Sequence, residues 1–119
     1  MPDSPRTRDE PSPTDASAPD PVVRCAACSR EIARLADRIA IEPNELHTFV
    51  NPRGDVFELA RFSRADGAAA VGRPSLEFTW YPGHAWRYAA CRGCGSQLGW
   101  RFEGPAIFWG LVRTALQWP

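Results

Sequence analysis

The sequence predicts a mainly β domain of short antiparallel strands, stapled by one four-cysteine metal site. Three observations carry this expectation. Runs rich in β-branched and aromatic residues alternate with Asn-Pro-Arg-Gly and Tyr-Pro-Gly-His turns. The connections between runs are too short for crossover helices, so neighbouring strands run antiparallel. The four cysteines form two C-x-x-C pairs. A chain of 119 residues has room for one domain.

Residues 1–21 hold half of the twelve prolines and no aromatic residue, and such a segment cannot bury enough surface to offset the entropy of ordering it. It reads as a disordered tail. The folded part starts at the first knuckle, Cys25-Ala26-Ala27-Cys28. Residues 31–41 give mixed signals: Ile32, Leu35 and Ile39 have helical spacing, while the end alternates like a strand. Next, two β-rich runs flank Asn51-Pro52-Arg53-Gly54, in which proline fixes one φ and glycine accepts a positive one; this reads as a hairpin. Ser63 to Gly72 is small and polar and reads as a loop. Ser75 to Trp80 leads as a strand into Tyr81-Pro82-Gly83-His84, placed for a type II turn. Trp86 to Ala90 then returns to the second knuckle, Cys91-Arg92-Gly93-Cys94, where Gly93 and Gly95 suit a left-handed turn. Beyond it Leu98, Trp100 and Phe102 alternate and should share one face of a strand, and the chain ends in an apolar strand from Ile107. The count is six or seven strands.

The knuckles, with 62 residues between Cys28 and Cys91, each offer half of a tetrahedral thiolate set, and together they hold one structural Zn²⁺ per chain through Cys25, Cys28, Cys91 and Cys94. Four thiolates close the metal shell and leave no position for a catalytic water. No fifth cysteine remains as a nucleophile. Histidine is the residue type suited to acid–base work near neutral pH, but neither His47 nor His84 has a partner carboxylate or nucleophile at recognisable spacing, so no enzyme is expected: His47 fits a hairpin face and His84 an exposed turn. Disulfides would suit a secreted chain, yet neither an export signal nor an apolar run long enough to span a membrane is visible. The expected location is the cytoplasm. Fourteen arginines balance fourteen acids, scattered without a basic stripe, which speaks against nucleic acid as partner.

Tryptophans in a small β domain ordinarily fill its core, and Trp109 and Trp118 are read that way. Trp80, Trp86 and Trp100 differ, because two bracket a turn and the third follows the knuckle that the Trp86 strand enters. Three indoles converging there make walls, and Gly99 removes bulk where a backbone or a ligand approaches. A flat ring standing between them would face main-chain groups of Phe78 to Trp80.

The segments C-A-A-C, F-V-N-P-R-G, G-R-P-S-L-E-F-T-W-Y-P-G-H-A-W, C-R-G-C-G-S-Q-L-G-W-R-F and F-W-G-L follow one another in the order found in the thalidomide-binding (CULT) domain family of cereblon, which this chain resembles over residues 22–117; the domain is placed at 22–119. The resemblance implies a β-tent, two antiparallel sheets at a steep angle pinned by zinc. It implies a cage of Trp80, Trp86 and Trp100 for a glutarimide or similar cyclic imide. The imide edge would bond the backbone of Phe78 and Trp80, with Asn51 on a nearby loop and Phe102 closing the cage. Phe78 stands where the family commonly has histidine, and His84 changes the turn tip. The ligase-receptor parts of cereblon are missing, so the chain resembles single-domain bacterial members, and neither a ubiquitin-ligase adaptor nor more than a monomer is expected. The implied ligands are cyclic imides, uracil-like rings and C-terminal cyclic imides of damaged proteins. Two other readings stand beside this one: an aromatic cage for a methylated ammonium, with Glu77 nearby to offset its charge, and a non-catalytic structural zinc domain with its tryptophans sealed in the core.

Overall fold

The computed structural model describes residues 20–119, so the expected tail lies outside the described residues apart from Asp20 and Pro21. Three short strands, β1 (Val22–Cys25), β2 (Glu31–Arg34) and β10 (Leu116–Gln117), form a small antiparallel sheet in the order β10-β1-β2. The larger sheet is built from β3 (Arg38–Ile39), β5 (Val56–Phe62), β6 (Ala68–Ser75), β7 (Ala85–Cys91), β8 (Gln97–Glu103) and β9 (Ile107–Val112), in the order β3-β5-β9-β8-β7-β6. A further strand, β4 (Thr48–Val50), pairs only with β5 and makes the outer arm of the expected hairpin. Two antiparallel sheets and four clustered cysteines are the architecture the sequence predicted.

The turns form as their residues dictate. Gly54 N–H donates to Asn51 C=O at 2.9 Å with Gly54 at φ 88°, and His84 N–H donates to Tyr81 C=O at 2.9 Å with Gly83 at φ 80°. The undecided segment 31–41 resolves into β2, a 3₁₀ turn over Leu35–Asp37 and β3. There the mixed periodicity has a plain cause: Ile32 enters the core from a strand, and the turn passes the chain from the small sheet to the large one.

Four expectations need correction. Residues 68–72 are not loop but the start of β6, because Ala68, Ala69 and Ala70 pair with Cys91, Ala90 and Ala89 of β7; a partner strand overrides the weak β-propensity of alanine. Phe78 to Trp80 is not strand, since β6 ends at Ser75 and Phe78 turns the chain at φ 56°. Leu98 does not share a face with Trp100 and Phe102. The register slips by one residue between Ala89 and Ala90, and this bulge sends Leu98 into the core between the sheets while Phe102, with Trp100 packed against its cluster, stays on the other face. Finally, ten strands form among the described residues instead of six or seven, the additions including the four-residue β1 and β2 and the two-residue β3 and β10.

The large sheet therefore has two apolar faces. One packs on the small sheet through Val23, Ile32, Phe62, Leu98 and Leu111, with Trp109 and Trp118 partly buried against it. The other carries Leu59, Phe102 and Phe108, and against these lie Phe49, Phe57, Trp80, Tyr81, Trp86 and Trp100. Burying each large side chain contributes about 1.5–3 kcal/mol. Gly99 permits the close strand packing: at φ 151°, a Cβ there would overlap the Gly110 carbonyl oxygen and come within 2.9 Å of Leu111 Cα. What approaches Gly99 is thus a neighbouring backbone, not a ligand.

Candidate functional site

The two knuckles share one backbone design. Ser29 N–H donates to Cys25 C=O at 2.8 Å, and Gly95 N–H donates to Cys91 C=O at 2.9 Å. Each loop closes on a left-handed residue four positions after its first cysteine, Ser29 at φ 67° and Gly95 at φ 78°. Gly93, expected to be left-handed, serves differently: a Cβ there would sit 3.1 Å from Arg30 Cδ and 3.4 Å from Cys28 Sγ, and its N–H donates to Cys91 Sγ at 3.3 Å.

β1 and β7 deliver the knuckles to one point, where Cys25 Sγ lies 3.7 Å from Cys94 Sγ and Cys28 Sγ 3.6 Å from Cys91 Sγ. All four sulfurs fall within 4.8 Å of one another. Tetrahedral thiolate bonds of about 2.3 Å require sulfurs about 3.8 Å apart, so the set fits a single metal ion. The surroundings prepare thiolates unequally. At Cys94 the Ser96 hydroxyl, 3.2 Å from the sulfur, and then the Ser96 amide bring the thiol down to about 6. Burial raises Cys91, but the amides of Cys94 and Gly93 outweigh it and the net direction is down. At Cys28 the Arg30 amide lowers the thiol, yet desolvation and the three neighbouring sulfurs together push it up to about 11. Without a cation four adjacent thiolates repel one another; a dication removes that conflict.

On the opposite face of the same sheet lies a cleft of about 520 Å³ whose walls include Trp80, Trp86, Trp100 and Phe78. All six ring-site residues expected from the sequence, Asn51, Phe78, Trp80, Trp86, Trp100 and Phe102, line it. Trp80 and Trp100 meet edge to face, with centroids 4.8 Å apart at 77°. Trp86, a third lining residue, has its ring contact with Tyr88 at 5.2 Å. Two indoles are oriented by hydrogen bonds: Trp86 Nε1–H donates to Glu77 C=O at 2.7 Å, and Trp80 Nε1–H donates to Val50 C=O at 3.2 Å. Phe102 is buried beneath, stacked with Phe108 at 5.3 Å and edge-on to Tyr81 at 4.7 Å.

Asn51 reaches the cleft, but its side-chain amide is engaged in the turn. Its Oδ1 accepts from Arg53 N–H at 3.0 Å and Asp55 N–H at 2.8 Å, and its Nδ2 donates to Asp55 Oδ2 at 3.1 Å. Phe78 is 70% exposed at the rim. Its backbone N–H and C=O, and the N–H of Trp80, have no hydrogen-bond partner among the described residues.

Sequence reasoning missed several contributors. Phe49 stacks on Trp80 at 5.1 Å and 15°, and Phe57 meets Trp100 edge-on at 5.2 Å; their alternation with Thr48, Val50, Val56 and Glu58 was the available signal. Tyr88 and Gln97 also line the cleft. The histidines are also better defined. His47 does have a carboxylate neighbour, Glu58, with Nε2–Oε2 3.5 Å, across the hairpin and outside the cleft. His84 is half-buried, its ring 5.5 Å from that of Phe108 and its Nδ1 3.1 Å from Pro82 C=O. Neither lines the cleft. Among the described residues no helix is long and apolar enough to cross a membrane.

No family model matches the chain. Over 75 residues it is 48% identical to protein cereblon of Xenopus tropicalis, a stretch covering 58% of this chain and 17% of that protein. Protein cereblon of Gallus gallus is 43% identical over 74 residues, 57% of this chain and 17% of the relative. The similarity to protein cereblon of Drosophila melanogaster is lower, 28%, but longer, 102 residues and 78% of this chain, again 17% of the relative. The chain thus spans 17% of the length of the curated relatives it matches.

Proposed function

We propose that this chain, which carries a cereblon-type (CULT) domain, is a non-catalytic binding module that takes a flat cyclic imide or uracil-like ring between Trp86 and the Trp80–Trp100 pair. The observation that carries this reading is an aromatic slot beside unpartnered main-chain groups at Phe78 and Trp80. A cyclic imide edge presents acceptor, donor and acceptor in a row. Phe78 N–H, Phe78 C=O and Trp80 N–H offer the complementary donor, acceptor and donor. The indoles exclude water from this edge, which strengthens each bond. Imides at the C-termini of damaged proteins belong to the same ligand class.

For a ring of about nine heavy atoms, efficiencies of about 0.5–0.8 kcal/mol per atom give roughly −5 to −7 kcal/mol, a micromolar affinity suited to sensing. The cysteine set we assign to one structural Zn²⁺: four sulfurs within 4.8 Å of one another suit that ion and leave no open position for chemistry. Thiolate ligands persist in a reducing compartment, which favours the cytoplasm. The non-catalytic reading rests on the chemistry present: every cysteine of the chain is in the metal set, and neither histidine lines the cleft.

Titration of tryptophan fluorescence tests the proposal. Glutarimide and uracil should change emission with micromolar midpoints, and Trp80→Ala or Trp100→Ala should remove the response while one zinc per chain is retained. Silence at millimolar imide overturns it. The rival reading, a methylated-ammonium cage, is favoured by Glu77, a carboxylate residue at the cleft; it predicts that betaine binds and the imide does not.

A further inference from the structure

We infer that the Glu45–Arg61 ion pair is a clamp that sets the Trp80 wall of the cage, making Arg61 a positioning residue for the ring site. The inference rests on the ring-binding reading above but addresses a part of the molecule that reading does not use.

Arg61 is a charged residue in an apolar layer. It lies on β5, opposite Ile39 of β3 and Gly110 of β9, with its side chain only 15% exposed. Its guanidinium carbon sits 5.7 Å from the Tyr81 ring centroid and 5.3 Å from that of Phe108. One terminal nitrogen donates to Glu45 Oε1 at 2.8 Å, while Nε is buried and has no partner among the described residues. A lone exposed ion pair contributes little. A buried guanidinium with an orphaned N–H costs more than an apolar side chain of the same size would. Filling space therefore does not explain Arg61, whereas a flat cation lying against two rings and gripping a loop does.

What the clamp grips leads to the cage in two directions. Through Tyr81 it touches the next residue after Trp80, and the Tyr81 ring meets Phe49 at 5.3 Å. Through Glu45 it holds the segment just ahead of β4, whose Phe49 stacks on Trp80 and whose Val50 carbonyl receives the Trp80 indole N–H. Two supports of Trp80, the Phe49 ring and the Val50 carbonyl, thus run back to one guanidinium, while Phe57 and Trp100 touch the Trp80 ring from the other strands. Trp86, whose N–H is held by Glu77, and Trp100, packed on Phe57, have other supports. Loss of the clamp should loosen Trp80 first, reach Trp100 only through their shared edge, and leave Trp86 in place.

The test uses the full chain labelled with 5-fluorotryptophan, with the Trp80 resonance assigned through Trp80→Phe, at low temperature and at one zinc per chain. In Arg61→Met the Trp80 resonance should broaden or split while those of Trp109 and Trp118 stay in place, and the glutarimide Kd should rise about 10-fold. Arg61→Lys should recover part of this, because a point charge holds Glu45 but cannot lie flat on two rings. Glu45→Gln should produce a smaller version, and Glu45→Gln combined with Arg61→Met should be no worse than Arg61→Met alone, as expected of one unit. An unmoved Trp80 resonance, or five resonances shifting together, overturns the clamp. Should Arg61→Met not fold, Glu45→Gln and Arg61→Lys decide alone, and native Trp80 signals in both overturn it. If glutarimide binds no form of the chain, the ring-binding reading fails while the ligand-free Trp80 resonance still judges the clamp.

Discussion

Phe78 holds a left-handed backbone at φ 56°, a conformation costly for a bulky residue and tolerated where the surroundings or a function demand it. Its exposed ring packs on little, so the strain is not repaid by side-chain burial. Phe78→Gly should therefore raise stability by about 1 kcal/mol, read by denaturant midpoint, and glutarimide affinity should stay within about threefold if the ligand uses main chain. Gly99 behaves in the opposite way. Gly99→Ala drives a methyl into the Gly110 backbone and should cost about 3 kcal/mol or more, with weak soluble expression as the first sign. Tyr81 supplies a pH signature. Burial, only partly offset by Arg61, pushes its phenol from 10 up to about 12. The folded chain keeps a proton that the unfolded chain has lost, so stability present up to pH 10 should fall as pH rises from about 10 to about 12. Urea midpoints across that range should decline less steeply in Tyr81→Phe.

At the scale of the elements, what could be read beforehand was local. Pro52 and Gly54, Pro82 and Gly83, and the cysteine spacings act within four or five residues, and the hairpin, the turn and the knuckles form as these residues dictate. What could not be read depends on partners. Ala68, Ala69 and Ala70 become strand only because β7 is beside them, and Leu98 changes face only because of a slip against Ala89 and Ala90. The same holds for the cleft. Trp80 and Trp86 stand out in the sequence by their bracketing of a turn and Trp100 by its place after the second knuckle, whereas Phe49 and Phe57, which pack on Trp80 and Trp100 from across strands, look like ordinary alternating positions. The β4–β5 hairpin is the element this affects most, since β4 pairs with β5 alone and carries two supports of Trp80. Amide exchange should be faster in β4 than in β8, which is paired on both edges, and a saturating imide should slow β4 selectively.

At the scale of the whole molecule, the cysteine site joins the sheets at the ends of β1 and β7. A structural zinc contributes about 10–16 kcal/mol in small domains, comparable to the whole folding free energy of about 5–15 kcal/mol. Chelation should abolish the near-UV circular dichroism and imide binding together, and re-addition of zinc should restore both; a native spectrum after complete zinc removal would contradict a metal-dependent fold. The cysteine set and the aromatic cleft lie on either side of the same β7–β8 pair, with backbone between them. That partition has an evolutionary reading. Side chains on the wet side of the bulkhead can be exchanged while the fastening behind it goes undisturbed, so the lining of the cleft is free to drift without the chain having to relearn how to fold.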